Sequence, residues 1–250
     1  MNNSNHYSLA SPTSLLLDDN QIIERVFSHI SNKTTDLGTE VWKEPVQNYL
    51  NQERFDNEIK LLKSLPVPFC PSSALPKKGS YISRMAAGTP ILVTRDEEGK
   101  VNAFINACRH RGMQVASGSG CKKSFICPYH GWTYGLKGEN RNIPGSDGFP
   151  GIDPLDHGLK KVNVLEKGGI VYVCQDGEIN KNFQSEVLDY FTFDQELIKQ
   201  SEIEDEANWK ILHETLLEGY HIKTLHKETF YPYGLDNINV VENYGQNSRV

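Results

Sequence analysis

The sequence lacks the features that mark several common classes of protein. No apolar run approaches the roughly eighteen residues of a membrane-spanning helix, and the N-terminal stretch lacks the basic and apolar segments of a secretory signal. Lysine and arginine are not in excess, because 26 basic residues face 32 acidic ones and the net charge is −6. The composition therefore predicts neither a membrane protein nor a nucleic-acid-binding protein. The sequence also shows no internal repeat and no glycine-rich phosphate loop.

Cysteine is sparse and odd in number. Five cysteines in 250 residues do not make a disulfide framework. They indicate a reducing compartment, so we expect a cytoplasmic protein in which grouped Cys and His residues bind metal or take part in catalysis.

The periodicity predicts a mixed α+β chain. Apolar spacing predicts a helix over residues 14–30 and a second helix opening near Pro45. Four prolines between Pro66 and Pro76 then predict a boundary. Short β-rich runs separated by Gly-rich turns favour a small antiparallel sandwich or barrel; they lie at 81–84, 91–95, 101–105, 124–127, 161–165 and 169–173. After about Gln184 the pattern is helical again, and residues 239–242 resemble a strand.

Two mixed Cys and His pairs stand where strands give way to loops. Residues 108–112 read C-R-H-R-G and residues 127–132 read C-P-Y-H-G-W, so sixteen residues separate the C-x-H pair from the C-x2-H pair. The candidate ligands are Cys108, His110, Cys127 and His130. Two thiolates and two imidazoles suit a tetrahedral zinc or a [2Fe–2S] cluster, and four unrelated residues are the third reading. Zinc modules typically have two like ligands in each pair, whereas each pair here has one Cys and one His. We therefore favour the iron–sulfur cluster over zinc.

These two motifs resemble the Rieske [2Fe–2S] domain of Rieske non-haem iron oxygenase α subunits, over about residues 84–173. The resemblance implies that Cys108 and Cys127 hold one iron and that His110 and His130 hold the other. Respiratory Rieske proteins carry extra cysteines, which are Met113 and Tyr129 here, so no disulfide can form between these positions. In that branch a Ser donates a hydrogen bond to the cluster where this chain has Trp132, and losing that donor predicts a low reduction potential.

A second constellation lies near the end of the chain. Trp209, Leu212, Leu216 and Tyr220 are spaced as one apolar helical stripe that would face a core. Glu218 and His221 are three residues apart, whereas His221 and His226 are five apart and converge only if the helix ends or unwinds between them. Read alone, these residues fit a solvated helix with scattered histidines.

After a Rieske motif, the segment resembles the mononuclear iron site of the same family. The resemblance implies that His221 and His226 are two ligands of a 2-His-1-carboxylate site. Glu218 would be a carboxylate bridging to a cluster His of a neighbouring subunit in a homotrimer. No role is assigned to Glu214. In the family the third ligand lies far beyond the second His, and Glu228, Asp236 and Glu242 do not match its position.

The resemblance implies an all-β Rieske domain inserted in an incomplete helix-grip (START-like) α+β catalytic domain. The expected division is 1–65 and 181–250 for the catalytic part and 66–180 for the Rieske domain. The expected function is an oxygenase component in which NAD(P)H electrons pass from a reductase or ferredoxin through the cluster to Fe(II), which activates O₂. The expected substrate is a small organic molecule, either an aromatic compound or a quaternary ammonium compound. The second is suggested by Glu218, because Glu rather than Asp at the bridging position resembles members that act on quaternary ammonium compounds.

Two alternatives remain from the sequence. One is an electron-transfer protein with a working cluster and no working iron site, and the other is a zinc-stabilised interaction module. Because only two histidines of the iron site are found, we expect the chain as written to be catalytically incomplete.

Overall fold

Residues 16–250 of the computed structural model are described apart from seven positions, Thr39, Trp42, Phe193, Leu235, Asp236, Gly245 and Gln246. The contacts divide the chain into a central unit, residues 50–203, and an outer unit, residues 1–49 with 204–250. The expected boundary at 65/66 differs from this division because Gln175 and Asp176 donate backbone hydrogen bonds to the carbonyl of Lys63, at 2.9 Å each. No helix in the described part of the chain is both long and apolar enough to cross a bilayer.

The central unit begins with a helix and continues as sheet. Helix α3 spans Gln52–Ser64, after a short helix α2 at Gln47–Leu50. Seven strands form an antiparallel sheet in the order β1-β10-β9-β4-β3-β2-β5. Their bounds are β1 Val67–Pro71, β2 Ser80–Ala86, β3 Thr89–Arg95, β4 Val101–Ile105, β5 Gly118–Cys121, β9 Lys161–Lys167 and β10 Ile170–Cys174. A three-stranded sheet, β6 Phe125–Ile126, β7 Thr133–Tyr134 and β8 Asn140–Asn142, completes the β structure.

Strand β3 explains why the large sheet is buried on both faces. Ile91, Leu92 and Val93 are all fully buried. Leu92 belongs to a core that includes residues of the three-stranded sheet, whereas Ile91 and Val93 belong to a second core on the opposite face. Successive side chains on a strand point to opposite faces, so one apolar run supplies both cores. The predicted α+β class with a β-rich central part is confirmed.

Several predicted bounds are wrong for identifiable reasons. Strand β1 runs through the predicted proline boundary, because it is an edge strand with an irregularity between Pro68 and Cys70, where proline is tolerated. The predicted strand at 124–127 is only Phe125–Ile126. Beyond the helix α4 at Lys181–Glu186, residues 187–208 contain no helix or strand among those described.

Among its described residues the outer unit has three further α-helices, a 3-10 helix at Tyr231–Tyr233 and a hairpin. Helix α1 spans Asp19–Asn32 and begins later than predicted, because Asp18 and Gln21 form a capping box; Ser14 and residues 1–13 lie outside the described part. Helices α5 and α6 span Trp209–Leu216 and Ile222–Leu225. The hairpin pairs β11 Glu242–Tyr244 with β12 Asn247–Arg249. The predicted strand at 239–242 begins only at Glu242, because the Val241 N–H binds the Asp36 carboxylate at 2.7 Å.

Candidate functional site

The two predicted cluster motifs form two loops with the same backbone frame. In the first loop, residues 108–113, the Cys108 N–H donates to the Met113 carbonyl at 2.8 Å. In the second, residues 127–132, the Cys127 N–H donates to the Trp132 carbonyl at 2.8 Å. Each cysteine carbonyl accepts the N–H of a glycine four residues later, at 2.9 Å in the first loop and 3.0 Å in the second.

Glycine is required at the equivalent bend of each loop. Gly112 and Gly131 have φ angles of 76° and 75°, in the left-handed region that side chains disfavour. A Cβ on Gly131 would also lie 3.1 Å from the Pro144 side chain. The G of each motif therefore allows the bend that closes its loop.

Two of the four predicted ligands, His110 and His130, lie in direct contact, and the two cysteines are buried in one core cluster. The Nδ1 atoms of His110 and His130 are 3.1 Å apart, a separation suited to two ligands about 2.1 Å from one metal ion. Cys108 and Cys127 are 4% and 2% exposed and belong to one core cluster. Among the described residues, no three His, Cys, Asp or Glu side chains converge as the ligands of a single ion would. This donor set fits a two-iron cluster with a pair of ligands on each iron better than one tetrahedral zinc.

Aromatic rings surround the histidine pair. The Trp132 ring, 2% exposed, stacks on His110 with centroids 5.1 Å apart and planes 7° apart, and Phe149 approaches the same imidazole edge-on. Burial and the neighbouring His130 lower the pKa of His110, which favours the neutral imidazole that ligates metal.

Tyr134 is a site residue that the motif analysis missed. Its buried hydroxyl accepts the Arg109 N–H at 2.9 Å and lies 3.2 Å from the Cys108 sulfur. Burial and the neighbouring Cys108 raise the pKa of Tyr134, so the phenol keeps its proton and can donate it toward that sulfur. The sequence signal was its position two residues after Trp132, on the strand that leaves the second loop.

The second constellation is built differently from the prediction. Helix α5 ends at Leu216, so Glu218 and His221 lie beyond it and not on a continuation of the apolar helical stripe. The break lies before His221 rather than after it, and His221 and His226 flank the single turn of α6. Their rings are 5.3 Å apart between centroids, so the two histidines do converge.

Glu218 binds its own chain's histidine. Its Oε1 lies 2.5 Å from His221 Nδ1, and its Oε2 accepts the N–H groups of Tyr220 and His221. The hydrogen bond from His221, with these backbone N–H groups, lowers the pKa of Glu218. The carboxylate therefore stays ionised and holds the proton of His221 on Nδ1, which leaves Nε2 free to bind a metal.

The described residues add no third ligand beside this histidine pair. Glu242 is engaged elsewhere, by the Leu17 N–H at 2.5 Å and by Arg249, and Asp236 lies outside the described residues. The predicted apolar stripe does not face a core, since Trp209, Leu212, Leu216 and Tyr220 are 38%, 47%, 83% and 81% exposed.

The remaining cysteines stay apart from both sites. Cys174 is buried like a small apolar side chain, and burial raises its pKa. Burial also raises the pKa of Cys70 to about 12. Cys121 is exposed and ends strand β5.

Comparison with known proteins identifies both parts of the chain. Residues 66–153 match the Rieske [2Fe-2S] domain, and residues 194–249 match the ring hydroxylating alpha subunit (catalytic domain). The chain is 32% identical over 177 residues to choline monooxygenase of Beta vulgaris, covering 66% of this chain and 39% of that protein. It is 35% identical over 162 residues to the glycine betaine monooxygenase oxygenase subunit of Chromohalobacter salexigens, covering 62% and 36%.

Solved structures agree with these sequence matches. The quaternary ammonium Rieske monooxygenase CntA in complex with an inhibitor superposes with a TM-score of 0.67 at 26% identity, covering 76% of this chain and 56% of that one. The chain spans about two fifths of the length of the curated relatives it matches. It belongs to the family of Rieske non-haem iron oxygenase α subunits, whose members use a [2Fe–2S] cluster and a mononuclear iron.

Proposed function

We propose that Cys108 and Cys127 hold one iron of a [2Fe–2S] cluster and that His110 and His130 hold the other. The 3.1 Å approach of the two imidazole Nδ1 atoms is the observation that carries this assignment. The buried thiols and the two matching backbone loops support it. When bound, the cluster supplies one-electron transfer, and the exposed His130 lies at the edge where an electron donor has access.

We further propose that His221 and His226 are ligands of a mononuclear Fe(II). The hydrogen bond between Glu218 and His221 supports it, because a carboxylate behind a ligating imidazole is the usual second layer of a metal site. When bound, the iron supplies O₂ activation. Glu218 fixes the tautomer and orientation of His221, and we propose that in a homotrimer its carboxylate also accepts a hydrogen bond from a partner's cluster histidine.

The protein is then the oxygenase component of a system in which a reductase or ferredoxin passes NAD(P)H electrons to the cluster. We propose a quaternary ammonium compound as the substrate, because the choline and glycine betaine enzymes and CntA are all similar to this chain. The alternative is an electron-transfer protein with a working cluster and no working mononuclear iron site.

Metal analysis tests the cluster. The anaerobically purified chain should contain two irons and two acid-labile sulfides for the cluster, and a third iron where the His221 and His226 site is filled. The reduced protein should show the EPR signal of mixed Cys and His ligation. Cys127→Ser should abolish that signal, whereas Cys174→Ser, at an equally buried cysteine outside the site, should keep it. One zinc per chain in a colourless protein would refute the assignment.

Turnover tests the oxygenase. Given Fe(II), a reductase, O₂ and a panel of choline, glycine betaine, carnitine and anthranilate, the protein encoded by the complete reading frame should oxidise a quaternary ammonium substrate. Its Glu218→Gln variant should keep both metals but lose turnover. Oxidation of anthranilate alone would overturn the substrate assignment, and full activity of Glu218→Gln would overturn the bridge.

A further inference from the structure

The bases of the two cluster loops are closed in different ways. The second loop lies between β6 and β7, which pair directly through Phe125 with Tyr134 and Ile126 with Thr133. The first loop leaves β4 and leads to β5. These two strands pair with other strands, β4 with β3 and β9, and β5 with β2. A β-ladder therefore holds the second loop, and something else must hold the first.

The Asn106 side chain occupies that place. It lies two residues before Cys108 and is fully buried. Its Oδ1 accepts the N–H groups of Val115 and Ala116 at 2.9 and 3.3 Å. Its Nδ2 donates to the Ala116 carbonyl at 2.8 Å. The Asn106 carboxamide thus links the residue before the first loop to the residues after it. It makes the hydrogen bonds that a paired strand would make there.

Ser83 on β2 completes the arrangement. Its hydroxyl accepts the second Nδ2 hydrogen of Asn106 at 2.7 Å and donates to the Ala116 carbonyl at 3.2 Å. All hydrogen-bonding groups of the carboxamide are therefore used, and the loop base is tied to the large sheet. Because a buried amide that loses a partner is costly, this arrangement strongly favours one position of the loop.

We propose that Asn106 is a positioning residue for the cluster. It replaces the missing β-ladder at the base of the first loop and so holds Cys108 and His110 at the spacing that the second loop requires. The proposal rests on the proposed cluster ligands. It predicts that removing hydrogen bonds of this carboxamide disturbs the Cys108 and His110 side of the site before it affects the rest of the domain.

Three variants of the full chain test this role. Asn106→Asp keeps the shape but removes both Nδ2 donors, and Ser83→Ala removes one partner only. Thr94→Val is the matched control, because Thr94 is equally buried and loses its hydrogen bond to the Leu136 carbonyl, yet it bonds to neither loop. We expect the rate of cluster loss to a chelator to rise about tenfold in Asn106→Asp and about twofold to threefold in Ser83→Ala, with Thr94→Val close to wild type.

Two further readouts separate positioning from general destabilisation. Amide hydrogen exchange should speed up at Cys108 and Gly112, while Cys127 and Gly131 keep wild-type rates. Pulsed EPR with ¹⁵N-labelled histidine should show a changed coupling for one cluster histidine and an unchanged coupling for the other. Equal loosening of both loops, or wild-type cluster retention in both Asn106→Asp and Ser83→Ala, would overturn the proposal.

Iron and sulfide content tests the assigned ligands, whereas amide exchange tests the role of Asn106. A wild-type protein without iron and sulfide would refute the proposed cluster. Amide exchange needs no cluster, so it would still show whether Asn106 orders the first loop. If Asn106→Asp does not fold, Ser83→Ala gives the decisive comparison with Thr94→Val.

Discussion

The two candidate metal sites sit in units that differ in burial. In the central unit the cluster cysteines are part of an apolar core that includes Leu92 and Phe104. In the outer unit no described residue is buried, and the histidine pair follows an exposed apolar stripe in the chain. The first site is therefore shaped by packing that this chain provides itself, whereas the second depends mainly on local hydrogen bonds such as that between Glu218 and His221.

This contrast indicates what each site needs. Core packing fixes a ligand position because moving it would open a cavity or break several contacts at once. A site held by local hydrogen bonds keeps its ligand tautomer but gains little rigidity from its surroundings. Further apolar cover over Leu212 and Leu216 would be required to make the second site as rigid as the first.

Truncating a leucine in each unit should give the largest difference. Leu92→Ala, at a fully buried position, should lower the free energy of unfolding by about 2–5 kcal/mol, because it removes buried methyl groups and leaves a cavity. Leu216→Ala, at a position 83% exposed, should change it by less than about 0.5 kcal/mol. Urea denaturation followed by tryptophan fluorescence measures both, and equal losses would show that the outer unit has a core of its own.

Two turn glycines offer a finer test within the central unit. A Cβ on Gly138 would lie 2.3 Å from the buried Phe104 ring, at a φ of 79°, whereas Gly99 has a φ of 82° and open space. Gly138→Ala should cost about 2–4 kcal/mol from overpacking and backbone strain, and Gly99→Ala only about 1 kcal/mol from strain. Thermal unfolding of the two variants checks this, and similar midpoints would contradict the close packing of the turn on Phe104.

The two cluster motifs could be recognised from the sequence because their information is local. Cys108, His110, Cys127 and His130 lie in two short motifs, and each motif contains the glycine that closes its loop. Tyr134 and Asn106 were missed as contacts because their partners are set by the packing of separate strands. Tyr134 reaches a loop about 25 residues earlier, which no local pattern records.

In the second constellation the backbone differs from the one that the sequence pattern predicts. Apolar spacing continued the helix through Tyr220, yet α5 ends at Leu216. The Glu218 carboxylate accepts the N–H groups of Tyr220 and His221, and a side chain that satisfies backbone donors in this way competes with continued helix. Hydrophobic periodicity does not detect this competition, because it records only the spacing of apolar residues.

The hydrogen bond from Tyr134 modifies the expected low reduction potential. Trp132 removes one donor relative to respiratory Rieske proteins, but the Tyr134 hydroxyl still lies 3.2 Å from the Cys108 sulfur. Tyr134→Phe should lower the potential by about 50 mV, the equivalent of one hydrogen bond of about 1 kcal/mol for a one-electron couple. Tyr81→Phe is the control, because its buried hydroxyl faces the Ser117 carbonyl instead. Equal potentials in the two variants, measured by spectroelectrochemistry, would exclude this tuning.

The smallest effect is expected at Asp36, whose side chain links the two segments of the outer unit. Its carboxylate accepts the Val241 N–H at 2.7 Å and bonds to Arg25 and His29 at 2.7 and 3.1 Å. Burial acts to raise the pKa of Asp36, but these partners outweigh burial and lower it overall. A carboxyl whose folded pKa lies below its unfolded value stabilises the fold above the unfolded pKa, near 4, and loses this contribution as the pH falls through the folded pKa.

The amide of Val241 reports this contact directly. Its exchange protection, corrected for the intrinsic rate, should be steady from pH 7 to about 4 and fall below that, by the equivalent of less than about 1 kcal/mol because the group is near the surface. Asp36→Asn should already be less protected at pH 7 and should lose the acid dependence. Asp96→Asn, which removes a similarly hydrogen-bonded carboxylate from the central unit, should leave Val241 unchanged. If the acid transition persists in Asp36→Asn, another group is responsible for it. The two segments of the outer unit would then be held together by apolar contact rather than by this carboxylate.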